Sequence, residues 1–186
     1  MPLDLVTAEQ RRNAKTVNFS ITYGAGASNL SQQLSISRTE AKLLIEQYFA
    51  QYKGLKKYME NTIEFARSNG YVSTLLGRRR WLRDIDSRNS LARSNSERIA
   101  INSPIQGTAA DMIKLAMIHI HKALKEQNLQ TKMILQVHDE LVFDVPKSEL
   151  EVVRPLIKEK MQNAIPNLRV PILVEVGVGK NWLEAH

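Results

Sequence analysis

The chain has 186 residues, 43% of them hydrophobic and 24% charged, with 26 basic against 19 acidic side chains and a formal net charge of +7. That length allows about one domain with its own core, and the basic excess points toward a polyanionic partner. The absence of cysteine excludes disulfides and thiolate metal sites, and no apolar run approaches membrane-spanning length or resembles a signal peptide. A soluble intracellular protein with no membrane association is expected.

Thr7-Ala-Glu-Gln10 is a capping-box start, and Tyr23-Gly24 a plausible stop for the first helix. Ser37-Arg-Thr-Glu40 opens a second helix carrying Ala41, Leu44, Ile45, Tyr48 and Phe49 at helical spacing, broken at Lys53-Gly54. A third runs from about Leu55 to Ser68 and stops at Asn69-Gly70. Tyr71 to Gly77 reads as short and extended, and the Arg-rich segment 77–88 as a loop. Ser94-Asn-Ser-Glu97 is a further capping box, opening a helix to about Asn128 that Pro104 should kink.

The last third changes character. Met133-Ile-Leu-Gln-Val-His138-Asp139-Glu140-Leu-Val-Phe-Asp-Val145 reads as two strands joined at a His-Asp-Glu triplet. Pro146-Lys-Ser-Glu149 opens a helix to about Ala164, and Val170 to Val176 reads as a closing strand. Helices followed by strand, strand, helix and strand predict an α+β fold: a mainly helical subdomain beside a partial antiparallel sheet. The predicted division is 1–92 and 93–186.

Four patterns carry chemistry. On the first helix, where successive residues turn by about 100°, Ala14, Val17 and Ile21 form a core stripe. Arg11, Lys15, Phe19 and Tyr23 recur every four residues on the other side. Two readings fit: the cations meet phosphates while the rings meet a sugar and a base, or the rings pack on a neighbouring helix and the cations are solvated. On the long helix, Arg98, Asn102 and Gln106 share one stripe, apart from Ile99, Ile105, Met112, Ile113, Met117, Ile120 and Leu124. Donors so arranged suit the acceptors of a DNA minor groove; a polar face without a partner is the alternative. Arg78, Arg79, Arg80, Arg83 and Arg88 around Trp81 suit a phosphate backbone or form a solvated charge run. At the triplet, Asp139 and Glu140 are hard oxygen donors on a turn that lacks the usual glycine or asparagine. A solvated loop is again the alternative.

Taken together, these segments resemble one family. Arg11-Arg-Asn-Ala-Lys15-Thr-Val-Asn-Phe19-Ser-Ile-Thr-Tyr23-Gly24 resembles motif B of the family A, bacterial DNA polymerase I-like, DNA polymerases. Glu97-Arg98-Ile-Ala-Ile-Asn102-Ser-Pro-Ile-Gln106-Gly-Thr-Ala-Ala-Asp111 resembles the motif between B and C, Gln136-Val-His138-Asp139-Glu140 resembles motif C, and Val174 to His186 the family's carboxyl terminus. The resemblance runs from about Leu3 to the end, in matching order and spacing. It implies fingers over 1–92 and part of the palm over 93–186. The implied activity is template-directed DNA synthesis from dNTPs on primer-template DNA, in replication or repair, in the cytoplasm and at the nucleoid if the source is bacterial.

The resemblance also implies roles. Arg11 and Lys15 would contact the incoming triphosphate, with Lys15 a candidate proton donor to the leaving pyrophosphate. Phe19 would pack on the incoming sugar and Tyr23 beside the templating base. Arg98, Asn102 and Gln106 would face the minor groove, with Arg78, Arg79 and Arg80 on DNA phosphates. His138 would touch the primer end or the incoming phosphates, and Asp139, supported by Glu140, would hold Mg2+ in a two-metal site. Ser20 stands where the family commonly has glycine, and Arg83 where it has proline. No segment resembles motif A, which supplies the opposing aspartate, nor the thumb or an exonuclease domain. The implied protein is therefore a carboxyl-terminal fragment needing an upstream segment for activity, with a non-catalytic DNA- or nucleotide-binding fragment as the alternative. An open sheet edge on the hairpin and self-association follow as expectations.

Overall fold

The structure is a computed structural model and describes Pro2 and residues 5–185. The predicted motif resemblance at Leu3 and His186 lies outside the described residues. The chain divides into two compact units, Met1–Gly107 and Thr108–His186. The boundary between these units falls inside a helix.

The first unit opens with α1 (Ala8–Thr22), where Thr7 and Gln10 form the expected reciprocal cap. Gly24, at φ 79°, follows the helix end. Next comes α2 (Ala27–Leu34), which the sequence reading missed. Its Ser-, Asn- and Gln-rich composition resembles a loop, and only Leu30, fully buried, and Leu34 mark an apolar stripe. The Ser37–Glu40 capping box opens α3 (Arg38–Gln51) as expected. The break before α4 (Lys53–Asn69) is at Tyr52 rather than at Lys53-Gly54, so Gly54 lies inside the helix. Gly70, at φ 74°, ends α4 in the left-handed conformation that glycine tolerates.

Strands β1 (Tyr71–Ser73) and β2 (Arg79–Trp81) then pair antiparallel, Tyr71 opposite Trp81 and Ser73 opposite Arg79. The Arg-rich segment is therefore partly a strand, not a loop. Arginine stems cover apolar surface while their heads stay in water, so a charge run does not forbid a ribbon. Helix α5 (Ser90–Glu126) begins four residues before the capping box at Ser94. The Asn89 side chain accepts from the N–H groups of Leu91 and Ala92, which caps the earlier start. Glu97 instead pairs with Arg67 of α4 at 2.6 Å. Helical structure continues through Pro104. Two cores hold the unit: Ile21, Leu30 and Ala41 under α1–α3, and Ala66, Val72, Leu82, Ile85 and Ala100 under the ribbon.

The second unit takes the rest of α5, then β3 (Lys132–Val137) and β4 (Glu140–Asp144), a short 3-10 turn at Lys147–Glu149 and α6 (Leu150–Gln162). Ile120, Ala123 and Leu124 of α5 pack with Val153, Leu156 and Ile157 of α6, and the hairpin covers them with Met133, Leu141 and Phe143. The Glu149 carboxylate accepts from the N–H groups of Gln130 (2.7 Å) and Thr131 (2.9 Å) and from the Thr131 hydroxyl (2.6 Å), fastening the approach to β3. The predicted closing strand is not formed: residues 171–179 have no regular structure. Its alternation is present in sequence, but a strand needs a neighbour for its N–H and C=O groups, and Val170 and Leu173 remain largely exposed. The tail turns back in α7 (Trp182–Ala185), whose backbone crosses Gly177 and Gly179 so closely that a Cβ at either would collide with it. No helix of the described residues is long and apolar enough to cross a membrane.

Candidate nucleic-acid and nucleotide site

Helix α1 presents its two stripes differently. Val17 and Ile21 turn into the core as predicted, but Ala14 is exposed. It lies a full turn nearer the helix start than the residues α2 and α3 cover. Phe19 sits about 160° from both Val17 and Ile21 by helix rotation, and is 54% exposed; Tyr23 is 46% exposed. Their rings lie 6.3 Å apart and within 19° of parallel. Each of these two side chains is thus about half exposed and half covered. Arg11 and Lys15 are exposed on the same side and enter no ion pair among the described residues.

The helix is pinned on both flanks of Phe19. Tyr48 of α3 donates to Asn18 Oδ1 at 2.5 Å, and burial followed by the neighbouring Tyr52 pushes the Tyr48 phenol above its usual range. Ser20 is buried and donates to Gln33 Oε1 of α2 at 2.7 Å, so the serine found at a commonly glycine position has a structural partner. Neither pin is visible in the sequence, because each joins residues distant along the chain.

Along the first part of α5, Asn102 Nδ2 donates to the Tyr23 carbonyl at 3.3 Å, so the end of α1 and the α5 stripe meet. Gly24 allows this approach: a Cβ there would stand 3.1 Å from Arg98 Cγ. Arg98 is half-buried, and its Nε is buried without a hydrogen-bond partner. Such a donor is rare in folded proteins. Gln106 is exposed. Ile105, expected on the apolar side, is 63% exposed and lies one helical step from Gln106 on the open face.

The three ribbon arginines that the sequence reading grouped together behave differently. Arg78 Nη2 donates to the Gly107 carbonyl at 3.0 Å, and its backbone N–H to Thr74 Oγ1 at 3.2 Å. The Arg79 guanidinium lies 4.5 Å over the Tyr71 ring. Arg80 is exposed, opposite Val72. Sequence reasoning also missed Gly107. The available signal was a glycine inside a helix, which costs about 1 kcal/mol relative to alanine and needs a packing reason. Here a Cβ would come within 2.6 Å of Thr74 Cγ2.

In the second unit, β3 and β4 pair with Val137 opposite Glu140, leaving His138 and Asp139 as a two-residue turn. His138 has φ 53°. Gln136 Nε2 donates to the His138 carbonyl at 2.9 Å across the turn. His138 and Asp139 are exposed and Glu140 is half-buried. The register shifts between Met133 and Leu135, a bulge at Ile134 that increases local twist. Asp139 and Glu140 offer hard oxygen donors that suit Mg2+. Among the described residues no three His, Asp or Glu side chains gather into a metal site. Arg11, Lys15, Phe19, Tyr23, Arg98, Asn102 and Gln106 belong to the first unit, and His138, Asp139 and Glu140 to the second.

Comparison with known proteins bears on this arrangement. The family described as DNA polymerase family A matches residues 1–184. DNA polymerase I of Caldicellulosiruptor bescii is 50% identical over 179 residues, covering 96% of this chain and 21% of that protein. DNA polymerase I of Streptococcus pneumoniae strain R6 is 53% identical and that of Bacillus caldotenax 51%, each over 182 residues, 98% of this chain and 21% of the relative. A solved structure titled as the POL domain of Pol1 from M. smegmatis, in complex with DNA primer-template and dNTP, matches 100% of this chain and 32% of that one. Its TM-score is 0.94 and its identity 46%. With half of all positions shared over nearly the whole chain, and all three motifs inside the matched segment, the chain belongs to DNA polymerase family A.

Proposed function

We propose that this chain is the carboxyl-terminal part of a polymerase that adds dNTPs to a primer 3′-hydroxyl under the direction of a DNA template. The observation that carries the reading is the junction of α1 and α5, where Asn102 binds the Tyr23 carbonyl. It joins a helix presenting two exposed cations and two exposed parallel rings to a helix presenting a row of donors. The similar M. smegmatis domain was solved with primer-template and dNTP, which supports the same partners here. The chain covers about a fifth of the length of its relatives, so an upstream segment carrying the opposing motif A aspartate would complete the site. In this reading residues 1–92 are fingers and 93–186 part of the palm, acting on DNA in the bacterial cytoplasm.

Each residue then has a task. Arg11 and Lys15 hold the triphosphate through charge-assisted hydrogen bonds, and Lys15 donates a proton to the departing pyrophosphate. Phe19 presses on the sugar and Tyr23 lies beside the templating base. Arg98, Asn102 and Gln106 donate to minor-groove acceptors, which purine N3 and pyrimidine O2 provide in similar places for every pair. Arg80 meets DNA phosphate, and His138 touches the primer end or the incoming phosphates. Arg78 and Arg79, already engaged by Gly107 and Tyr71, add positive field near the strand. Asp139, with Glu140 beside it, would hold the metal, and Mg2+ there would supply charge stabilisation to the reacting oxygens.

The second reading, a fragment that binds DNA or nucleotide without chemistry, is favoured by the incomplete acidic set at the hairpin. Primer extension with Mg2+, with and without the upstream segment of a related polymerase, separates the two. Synthesis restored by the segment and abolished by Asp139→Ala, with DNA binding retained, is the expected result. A silent mixture that still binds primer-template would establish the binding fragment, and full synthesis by Asp139→Ala would remove that residue from the metal site.

A further inference from the structure

The direction in which α1 presents Phe19 and Tyr23 depends on how the helix is turned about its own axis. The core stripe of Val17 and Ile21 fixes that turn loosely, because apolar burial has no preferred direction. Hydrogen bonds are directional. Asn18 and Ser20 stand one residue either side of Phe19, so they project about 100° to either side of it. Asn18 Oδ1 accepts from the Tyr48 hydroxyl of α3 at 2.5 Å, and the Ser20 hydroxyl donates to Gln33 Oε1 of α2 at 2.7 Å. Gln33 is held in turn, its Nε2 donating to Asn29 Oδ1 of the same helix at 2.5 Å.

Ser20, which is buried, is tied through its backbone as well. Its carbonyl accepts from the Ala25 N–H at 2.8 Å, and the Ile21 carbonyl from the Gly24 N–H at 2.9 Å. These are the paired bonds that close a helix at a left-handed glycine. One residue thus anchors the last turn of α1, which ends at Tyr23, and joins it to α2. When a helix turns by about 20°, a side-chain atom 5–6 Å from its axis moves by about 2 Å, enough to break either bond. Glycine, common in the family at position 20, would have no hydroxyl to give.

We propose that Ser20 and Tyr48 are positioning residues of the nucleotide site. Through Gln33 and Asn18 they fix the rotation of α1, and so hold Phe19 and Tyr23 where the incoming sugar and the templating base meet them. The inference rests on the polymerase reading and adds to it residues that touch neither nucleotide nor DNA.

Single-turnover addition of one dNTP, by the chain completed with the upstream segment of a related polymerase, tests this because it separates binding from chemistry. If α1 is correctly turned in only a fraction of molecules, the apparent Kd for dNTP rises by the inverse of that fraction, while the rate at saturation stays the same. Ser20→Ala and Tyr48→Phe, each removing one hydrogen bond, should raise Kd about two-fold alone and about five-fold together. The combined effect exceeds the product because one remaining bond still restrains the helix. Gln33→Leu should match Ser20→Ala, whereas Gln33→Glu, which keeps an acceptor for the Ser20 hydroxyl, should stay close to the original. A merely structural role would lower the amplitude, through loss of folded enzyme, and leave Kd alone. An unchanged Kd in the double variant, or a Kd raised equally by Gln33→Glu and Gln33→Leu, would overturn the inference while synthesis by the unsubstituted enzyme kept the polymerase reading. No synthesis by the completed, unsubstituted enzyme would overturn both.

Discussion

Replacing Gly107 by alanine tests whether the ribbon and α5 meet as closely as the structure shows. Inside a helix, glycine is about 1 kcal/mol worse than alanine, so the substitution would stabilise an uncrowded site by about that amount. Here the new methyl would lie 2.6 Å from Thr74 Cγ2 and 3.4 Å from Arg78 Nη2. Thr74 is buried in a turn closed by backbone bonds to Gly77 and Arg78, so it cannot withdraw freely. Overpacking of this kind costs about 1–3 kcal/mol, which leaves Gly107→Ala neutral to about 2 kcal/mol destabilising. Thr74→Ser removes the colliding methyl and keeps the hydroxyl that accepts from the Arg78 N–H. In that background Gly107→Ala should stabilise. The four proteins of the cycle, compared by urea unfolding, should therefore show a coupling of about 1–3 kcal/mol. Additivity within about 0.5 kcal/mol would refute the close contact.

Glu149→Gln should flatten the acid limb of the stability profile. The Thr131 hydroxyl first, then the Gln130 N–H, hold the Glu149 carboxyl below its ordinary 4.5. A group whose folded value is depressed contributes above the unfolded value and loses that contribution as pH falls through the folded one. Glu149→Gln is thus less stable than the original chain near neutral pH, and the two converge in acid; unfolding midpoints across that range check it. Phe19→Tyr, measured in the enzyme completed by its upstream segment, should raise the ratio of dideoxy- to deoxynucleotide incorporation, and an unchanged ratio would remove Phe19 from the sugar. The isolated chain should self-associate in sedimentation, because the two-stranded β3–β4 sheet has unpaired edges and Ile134 and Leu135 are exposed on it. Leu135→Lys should weaken the association, and a monomer at all concentrations would count against an adhesive edge.

Local signals were legible wherever the chain settles its own geometry. The Thr7 and Ser37 boxes, the Gly24 and Gly70 stops and the four-residue stripe of Arg11, Lys15, Phe19 and Tyr23 need only neighbours in sequence. What failed depended on distant partners. Ala27–Leu34 is helical because Leu30 has a core to enter, and its composition gives no hint of that. Ser94–Glu97 looked like a cap, yet Glu97 is spent on Arg67 and Asn89 caps the helix earlier. Val170–Val176 has the alternation of a strand but pairs with no strand among the described residues. The pins on either side of Phe19 and the differing duties of Arg78, Arg79 and Arg80 are tertiary facts of the same kind.

The hairpin turn combines both levels. From sequence, His138-Asp139 is a poor turn because neither residue is glycine or asparagine. The structure keeps the turn at two residues and places His138 at φ 53°, a conformation that costs a side-chain-bearing residue about 1–2 kcal/mol. Gln136 helps to hold it through the His138 carbonyl, and Glu149 fastens the approach to β3. Glycine at position 138 would relieve the backbone and remove the imidazole. Retaining a strained histidine beside an exposed aspartate, on a strand anchored at its far end, is what a site needs when side-chain placement matters more than turn stability. The poor turn chemistry and the proposed metal role of Asp139 are thus two consequences of one arrangement.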